Sequence, residues 1–546
     1  MTAPLVESST TFPAFTEALE QAAAARTAPA VLDGGHRFGW HDLLVRSERT
    51  AAVLHRHGLR AGEVLAVQLP NSWELVVLHA ATARLGVLLL PLHCAYGPHE
   101  VRSLVDQAGA AGLVARASHR GHDRTADVLA LRGRCASLRR VWLSGAVPAG
   151  PDGAPLPAGL PDSAELLDGA APPAAGLPAP PRDPGTPLML LASSGTTSRR
   201  PKLCVHTHGS LLGNAAAVAA DGGLGPTDTI VSASPLSHAF GLLSVHTALV
   251  TGGGVGLFDG WDARRFLDAL RSAGATAAFA VPAQLRDLMA LLTGGPAGDG
   301  GTPAPPALRE VRTGGAPVPR ELAEAVRRHL GARLIVQWGM TEIGAGTYLR
   351  PHDPPEAAAT IGRPVSGGEV RVLDPDGAPA GHGVTGELQY RSPYMFRGYH
   401  GAPELTRAAL TPDGWLRSGD LAALNADGTV GYRGRADELI NRGGLKFSAL
   451  EVEELLNDLP QLTQHAVVAR PDPRLGQRSC LLAVLREGAA LTLEEVTSHL
   501  SRKGLATYKL PEQLVLLDRL PTTVTGKIAR ARLAAIPVPA PGEARR

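Results

Sequence analysis

Lysine is nearly absent from this chain. Of the 53 basic residues among its 546, only Lys202, Lys446, Lys503, Lys509 and Lys527 are lysine; the rest are arginine. Abundant alanine, 63 glycines and 45 prolines accompany the skew, the imprint of a GC-rich genome. A lysine kept in such a chain is a chance survivor, or it stands where a planar arginine fork cannot replace a compact charge on a flexible stem. Cysteine is scarce too. Cys94, Cys135, Cys204 and Cys480 are scattered without C-x-x-C spacing, which argues against a disulfide framework and a cysteine zinc site. Net charge is only +2, with both signs interspersed, so neither a nucleic-acid stripe nor a polybasic membrane anchor is expected. Long apolar runs are missing as well. The most apolar window, "VVLHAATARLGVLLLPL", is interrupted by His79 and Arg84 and reads as a buried helix running into a strand. The opening "MTAPLVESSTTFPAF" has neither the basic nor the apolar region of a signal peptide. Together these absences predict a reduced, soluble, cytoplasmic protein without nucleic-acid or membrane partners.

What is present is a patterned α/β chain. Apolar residues make up 44% and charged residues 19%, enough for a sizeable core, and the length requires more than one domain. Residues 144–185, dominated by Ala, Pro, Gly and Leu, read as a long connector, and 293–307 as a second loop. The segment 321–331 spaces Leu322, Ala325, Val326 and Leu330 on one helical face and stops at Gly331. Leu334 to Val336 then read as a buried strand opening onto a loop with Thr341 and Glu342, the place where α/β sheets bind ligands. Around the D-P-D-G of 374–377 two strands are expected, and Ser448 with Glu451 has the form of a capping box. The last hundred residues carry a fresh strand and helix pattern. The expected architecture is α/β: a large N-terminal α/β domain of several subdomains, residues 1–436, and a small mobile C-terminal α+β domain, residues 437–546.

The stretch "SSGTTSRRPK" (193–202) is built for an anion. Backbone N–H groups of a Gly/Ser/Thr loop, hydroxyls and one lysine form a natural phosphate cradle. It is not a Walker A loop, because Lys202 follows Pro201, precedes Leu203, and has neither the second glycine nor the hydroxyl that holds magnesium. An ordinary linker is the competing reading. His206 and His208 form an H-x-H pair with no further ligand cluster, so a metal is not expected there.

Further motifs follow in order: "GGAP" (314–317), "QWGMTE" (337–342), "GELQYRSPYMFRGY" (386–399), "DGWLRSGDL" (413–421), "GRADELINRGGLKFSALEVE" (434–453) and "PTTVTGKIARARL" (521–533). With the anion stretch, this series resembles the adenylate-forming superfamily over about residues 15–535: acyl-CoA synthetases, aryl-acid AMP ligases, peptide-synthetase adenylation domains and luciferases. "PKLCVHTH", "LGQRSC" and "RKGLATYKLPEQ" are similar to stand-alone aryl-acid AMP ligases and alicyclic-acid CoA ligases. The resemblance implies a secondary-metabolism ligase with two half-reactions. A carboxylate attacks the α-phosphate of ATP, releasing pyrophosphate, and a thiol then takes the acyl group from acyl-AMP. Two anions meet in the first step, so placed positive charge is the remedy.

By the same resemblance, Ser194, Gly195, Thr196, Thr197 and Lys202 would grip the β- and γ-phosphates. Thr341 would donate to the α-phosphate, and Glu342 would hold Mg²⁺. Trp338, where relatives usually have Tyr, would lie against adenine, followed by Gly339 and Met340, with Gly315, Ala316 and Pro317 on the other side of the base. Asp420 would accept from the ribose hydroxyls. Arg435 would touch the ribose or phosphate edge. Asp437 would be the hinge, Lys527 would bridge the attacking carboxylate and the α-phosphate, and Gly443 and Gly444 would line the thiol tunnel. CoA and a carrier-protein phosphopantetheine share the arm that enters such a tunnel, so both acceptors stay open. For each residue the alternative is a structural role: core packing for Trp338, a turn for Asp420, a solvated surface for Arg435 and Asp437. One departure stands out: Ser198 replaces the usual glycine of the phosphate loop, and an arginine, Arg199 or Arg200, is extra.

The acyl pocket is expected around His238, Ala239, Phe240, Gly241, Gly314, Gly339, Gly344, Ala345 and Gly346. Amino-acid-activating relatives have an aspartate in the segment equivalent to 232–243, and this chain has no acid there. Hydroxybenzoate-activating relatives have Asn where Ala239 stands, which argues against a 2-hydroxybenzoate. Small lining residues leave volume for a bulky apolar acid, whose burial contributes roughly 25 cal/mol per Å². The expected substrate is thus an aromatic, alicyclic or polycyclic carboxylic acid without an α-amine. Monomer and homodimer both remain open.

Overall fold

The computed structural model describes residues 12–25, 30–119, 121–145, 166–167, 176–193, 201–293, 304–316, 318–442, 445–472, 474–523 and 528–537. Most of the connector at 144–185 and of the loop at 293–307 lies outside them.

The apolar window resolves as expected. Helix Trp73–Leu85 is buried nearly all round and ends at Gly86, whose φ of 70° gives the left-handed turn into strand Leu88–Pro91. That strand lies in a six-stranded sheet with Val64–Gln68, Gly112–Arg116, Arg140–Ser144, Pro187–Ala192 and Leu203–Thr207. Beside it runs a nine-stranded sheet. Its parallel central strands are Val31–Asp33, Gly254–Leu257, Thr229–Ser232, Ala277–Phe279, Glu310–Gly314 and Arg333–Met340. Helix Arg320–Leu330 buries Leu322, Val326 and Leu330 against it and stops at Gly331, as the spacing predicts. Four antiparallel strands, Glu369–Leu373, Thr385–Arg391, Leu416–Leu424 and Val430–Arg435, follow as a separate sheet, the first two around the D-P-D-G turn.

From Leu439 a smaller unit begins. Strands Leu439–Arg442, Leu445–Ser448, Leu462–Asp472, Gly476–Leu485 and Gln513–Leu516 form one sheet, with helices Ala449–Leu456 and Leu493–Arg502. It has its own apolar core around Phe447, Val452, Leu481 and Val496. Ser448 does cap helix Ala449–Leu456, but it accepts from Leu450 N, and Glu451 pairs with Lys509 rather than returning to the cap. The expected reciprocal box is therefore a one-sided cap, because a lysine charge outcompetes a neutral N–H for the Glu451 carboxylate.

The C-terminal ends of the parallel strands carry much of the expected chemistry. After Thr229–Ser232 comes His238, after Glu310–Gly314 come Gly315 and Ala316, and after Arg333–Met340 come Thr341 and Glu342. In such sheets ligands bind at this edge.

Candidate active site

Strand Leu203–Thr207 frames one side of the site. One edge pairs with Pro187–Ala192, and the other is covered by the segment after Phe396. Val205 N donates to Gly398 O at 2.9 Å, Arg397 N to Val205 O at 2.8 Å, and His400 N to Leu203 O at 2.8 Å. The Thr341–Glu342 turn docks onto this frame. His206 Nε2 donates to Thr341 O at 2.7 Å, which fixes the neutral tautomer, and Phe396 N donates to Glu342 O at 2.8 Å. The Glu342 side chain is only 6% exposed, and the Tyr399 hydroxyl donates to its Oε1 at 2.8 Å. Lys202 Nζ lies 5.0 Å from the centroid of the same tyrosine ring. Lys202, far away in sequence, is thus brought to the same tyrosine as Glu342, the neighbour of Thr341.

Among the described residues Glu342 forms no ion pair. A buried carboxylate without a cationic partner is costly, and its oxygens suit a hard divalent ion. Its charge is felt nearby: burial first, then Glu342, pushes the Tyr399 hydroxyl and the Cys204 thiol upward in pKa. Tyr399 is therefore a permanent donor at neutral pH.

A second group lies on the four-stranded sheet. Arg435 Nη1 donates to Asp420 Oδ1 at 2.9 Å and to Ser418 O at 3.2 Å. Trp338 Nε1 donates to the other carboxylate oxygen, Oδ2, at 2.7 Å. The indole is 7% exposed, its ring 6.0 Å from Tyr390 and closed over by Gly346, where a Cβ would come within 2.7 Å. Tryptophan in place of tyrosine thereby gives Asp420 a fixed neutral donor. Gly419, at φ 71°, lies where the strand shifts register just before Asp420, and Asp420 N is held by Ser418 Oγ at 3.0 Å.

The expected acyl lining has a different origin from the one the sequence implies. A Cβ on Gly241 would sit 2.1 Å from Pro235 O, on Gly314 2.4 Å from Gln337 O, and on Gly339 2.0 Å from Gly344 O. Gly344 adopts φ 69°, and its Cβ would meet Asn214 Oδ1 at 2.6 Å. These glycines are dictated by close backbone approach, so they say nothing about pocket volume. Ala239 and Phe240 open helix Ala239–Thr251, with His238 as its N-cap. Phe240 stacks on Phe279 at 5.2 Å, and the His238 ring lies 5.8 Å from His93.

Ser194, Gly195, Thr196, Thr197, the Ser198–Arg200 departure, Pro317, Gly443, Gly444 and Lys527 lie outside the described residues. Asp437 falls in the single turn Ala436–Glu438 that leads into the smaller unit. Three features were missed by sequence reasoning. Asn214 clamps Ala345 with both ends of its amide, at 2.8 and 2.9 Å. Tyr399 bridges Lys202 and Glu342. His79 and His246 share a buried Nε2–Nε2 hydrogen bond of 2.9 Å. The only signal for Tyr399 was its place in the "MFRGY" motif, and for His79 its interruption of an apolar window.

Comparison with known proteins adds to this geometry. The profile of AMP-binding enzymes matches residues 19–400, and that of the AMP-binding enzyme C-terminal domain matches residues 451–527. A salicylyl-CoA synthase / salicylate adenylyltransferase of a Streptomyces species is 36% identical over 92% of this chain and 90% of its own. A 2-hydroxy-7-methoxy-5-methyl-1-naphthoate–CoA ligase of Streptomyces carzinostaticus is 34% identical over 94% and 92%. Among solved structures, ATP-bound MatB from Rhodopseudomonas palustris has the same fold, with a TM-score of 0.82, 24% identity, and 95% and 98% of the two chains covered.

Proposed function

The chain belongs to the AMP-binding enzyme family, as an AMP-forming acid–thiol ligase, and from that premise we propose that it joins a bulky apolar carboxylic acid lacking an α-amine to CoA through an acyl-adenylate. The observation that carries the reading is the assembly of Lys202 and the Glu342 carboxylate on Tyr399, with Thr341, adjacent to Glu342, held through its carbonyl by His206. Aromatic acids head the candidates: two relatives are named for aryl acids and CoA, and Ser234–His238 and the helix after it carry no acidic residue to meet an ammonium group.

In this proposal Lys202 holds the phosphates that leave as pyrophosphate. The hydroxyl of Thr341 donates to the α-phosphate, its carbonyl being held by His206. Mg²⁺ on Glu342 would neutralise phosphate charge when bound. Asp420, fastened by Trp338 and Arg435, accepts from the ribose hydroxyls. Trp338 and the Gly315–Ala316 turn flank the adenine. Lys527 bridges the acid's attacking oxygen and the α-phosphate, where one P–O bond forms and the bond to pyrophosphate breaks. The small domain, residues 437–546, then turns about Asp437 so that the thiol can reach the acyl carbonyl and AMP can leave.

No helix among the described residues is long and apolar enough to cross a membrane, and we propose a cytoplasmic enzyme. The test is pyrophosphate exchange across a panel of benzoic, naphthoic, alicyclic and amino acids, followed by product analysis with CoA or a phosphopantetheinyl carrier protein. Exchange with aryl or alicyclic acids and a CoA thioester product are expected. Preference for amino acids, or product with carrier protein alone, overturns the corresponding part.

A further inference from the structure

We propose that Tyr399 is a positioning residue of the nucleotide site: its hydroxyl sets the orientation of the Glu342 carboxylate, and its ring face supports Lys202. The inference rests on the reading of Glu342 as the magnesium ligand and Lys202 as the phosphate grip.

The geometry is specific. Tyr399 is 7% exposed, and its backbone is fixed on both sides. Its N–H donates to Thr406 Oγ1 at 2.9 Å, and its neighbours Gly398 and His400 are hydrogen-bonded to strand Leu203–Thr207. Its ring meets Phe396 edge-on at 4.9 Å, and Phe396 N in turn holds the Glu342 carbonyl at 2.8 Å. The phenol therefore has one available direction, and its O–H ends 2.8 Å from Glu342 Oε1. With one oxygen engaged in this way, the carboxylate cannot rotate freely. An ammonium 5.0 Å from the ring centroid is within cation–π range. One side chain thus couples a cation that grips phosphate to an anion that holds a metal. Partners of metal-binding carboxylates commonly alter metal affinity about 10–100-fold when removed.

Tyr399→Phe separates the two roles, since it deletes the hydroxyl and keeps the ring. Nucleotide binding by calorimetry, with and without Mg²⁺, reads them apart, and Mn²⁺ binding by electron paramagnetic resonance reads the metal directly. Tyr399→Phe is expected to weaken the metal-dependent part of ATP binding about 10-fold and to leave metal-free ATP binding as in the wild type. Tyr399→Leu is expected to weaken both. In a Glu342→Gln background, Tyr399→Phe should add nothing, because its effect runs through that carboxylate. Wild-type metal-dependent binding in Tyr399→Phe, or equal losses with and without Glu342, overturns the inference. Absence of any ATP binding or exchange by the wild type would overturn the functional reading itself, and the inference with it.

Discussion

Buried histidines set how this protein responds to acid at the scale of single residues. Desolvation lowers His206 and His208 to a pKa of about 4 and His246 to about 3, and it lowers His79 in the same direction. The unfolded chain, with histidine near 6.5, binds more protons than the native one between pH 4 and 6.5. Stability is therefore complete above pH 6.5 and falls as the pH drops through that window, by on the order of 1 kcal/mol per histidine per pH unit. Urea unfolding at pH 7 and pH 5 measures it: the midpoint should drop, and less steeply in His246→Leu. A second residue-scale prediction concerns Trp338→Phe, which keeps an aromatic ring and deletes the donor to Asp420 Oδ2. Loss of a hydrogen bond to a charged group costs about 1.5–3 kcal/mol. The smaller ring also leaves a cavity, so the unfolding midpoint should fall in Trp338→Phe, and fall less in Asp420→Asn/Trp338→Phe relative to Asp420→Asn alone; the difference reads the hydrogen bond.

Among the elements, the hairpin Arg333–Met340 to Gly344–Tyr348 matters most, because its turn carries Thr341 and Glu342. Its register shifts between Trp338 and Gly339, which unsettles the ladder at Ala345, and the Asn214 amide accepts from the Ala345 N–H and donates to its carbonyl. Asn214→Ala leaves both groups unpaired in a buried site, at a cost of about 1–3 kcal/mol for each. Thermal melting should fall, and hydrogen exchange should quicken at Ala345 and Gly344 first. The helix Arg320–Leu330 was legible in sequence from its periodicity and terminating glycine, and the strand after it and the helix–strand passage at 73–91 from their local apolar runs. Asn214 was not legible. It sits in helix His208–Gly222, and nothing local says which backbone group, 131 residues on, faces it. The His79–His246 pair was hidden for the same reason. The pocket glycines were read for what they leave open, whereas the carbonyls beneath them explain their identity.

On the scale of the whole molecule, the ordered motifs made the family and the two-domain fold legible. Their contacts were legible only in part. Arg530 ties the smaller unit together: it pairs with Glu453 at 2.7 Å and with Glu438, beside the proposed hinge, at 3.1 Å. Glu453 is buried, so removing its half-buried cation leaves a desolvated carboxylate at a cost of about 1–3 kcal/mol. Arg530→Met should therefore loosen helix Ala449–Leu456 and strand Leu462–Asp472 in hydrogen exchange, while the nine-stranded sheet keeps its protection. The central claim is that one molecule brings a carboxylate to the α-phosphate of ATP with a lysine from its small domain. Acid-dependent pyrophosphate exchange, wild type against Lys527→Ala at matched ATP occupancy, tests it most directly. The account predicts exchange that requires an added aryl or alicyclic acid and falls on the order of 10²–10³-fold in the variant; exchange that survives Lys527→Ala unchanged, or a wild type that exchanges with no acid while binding ATP, would contradict it.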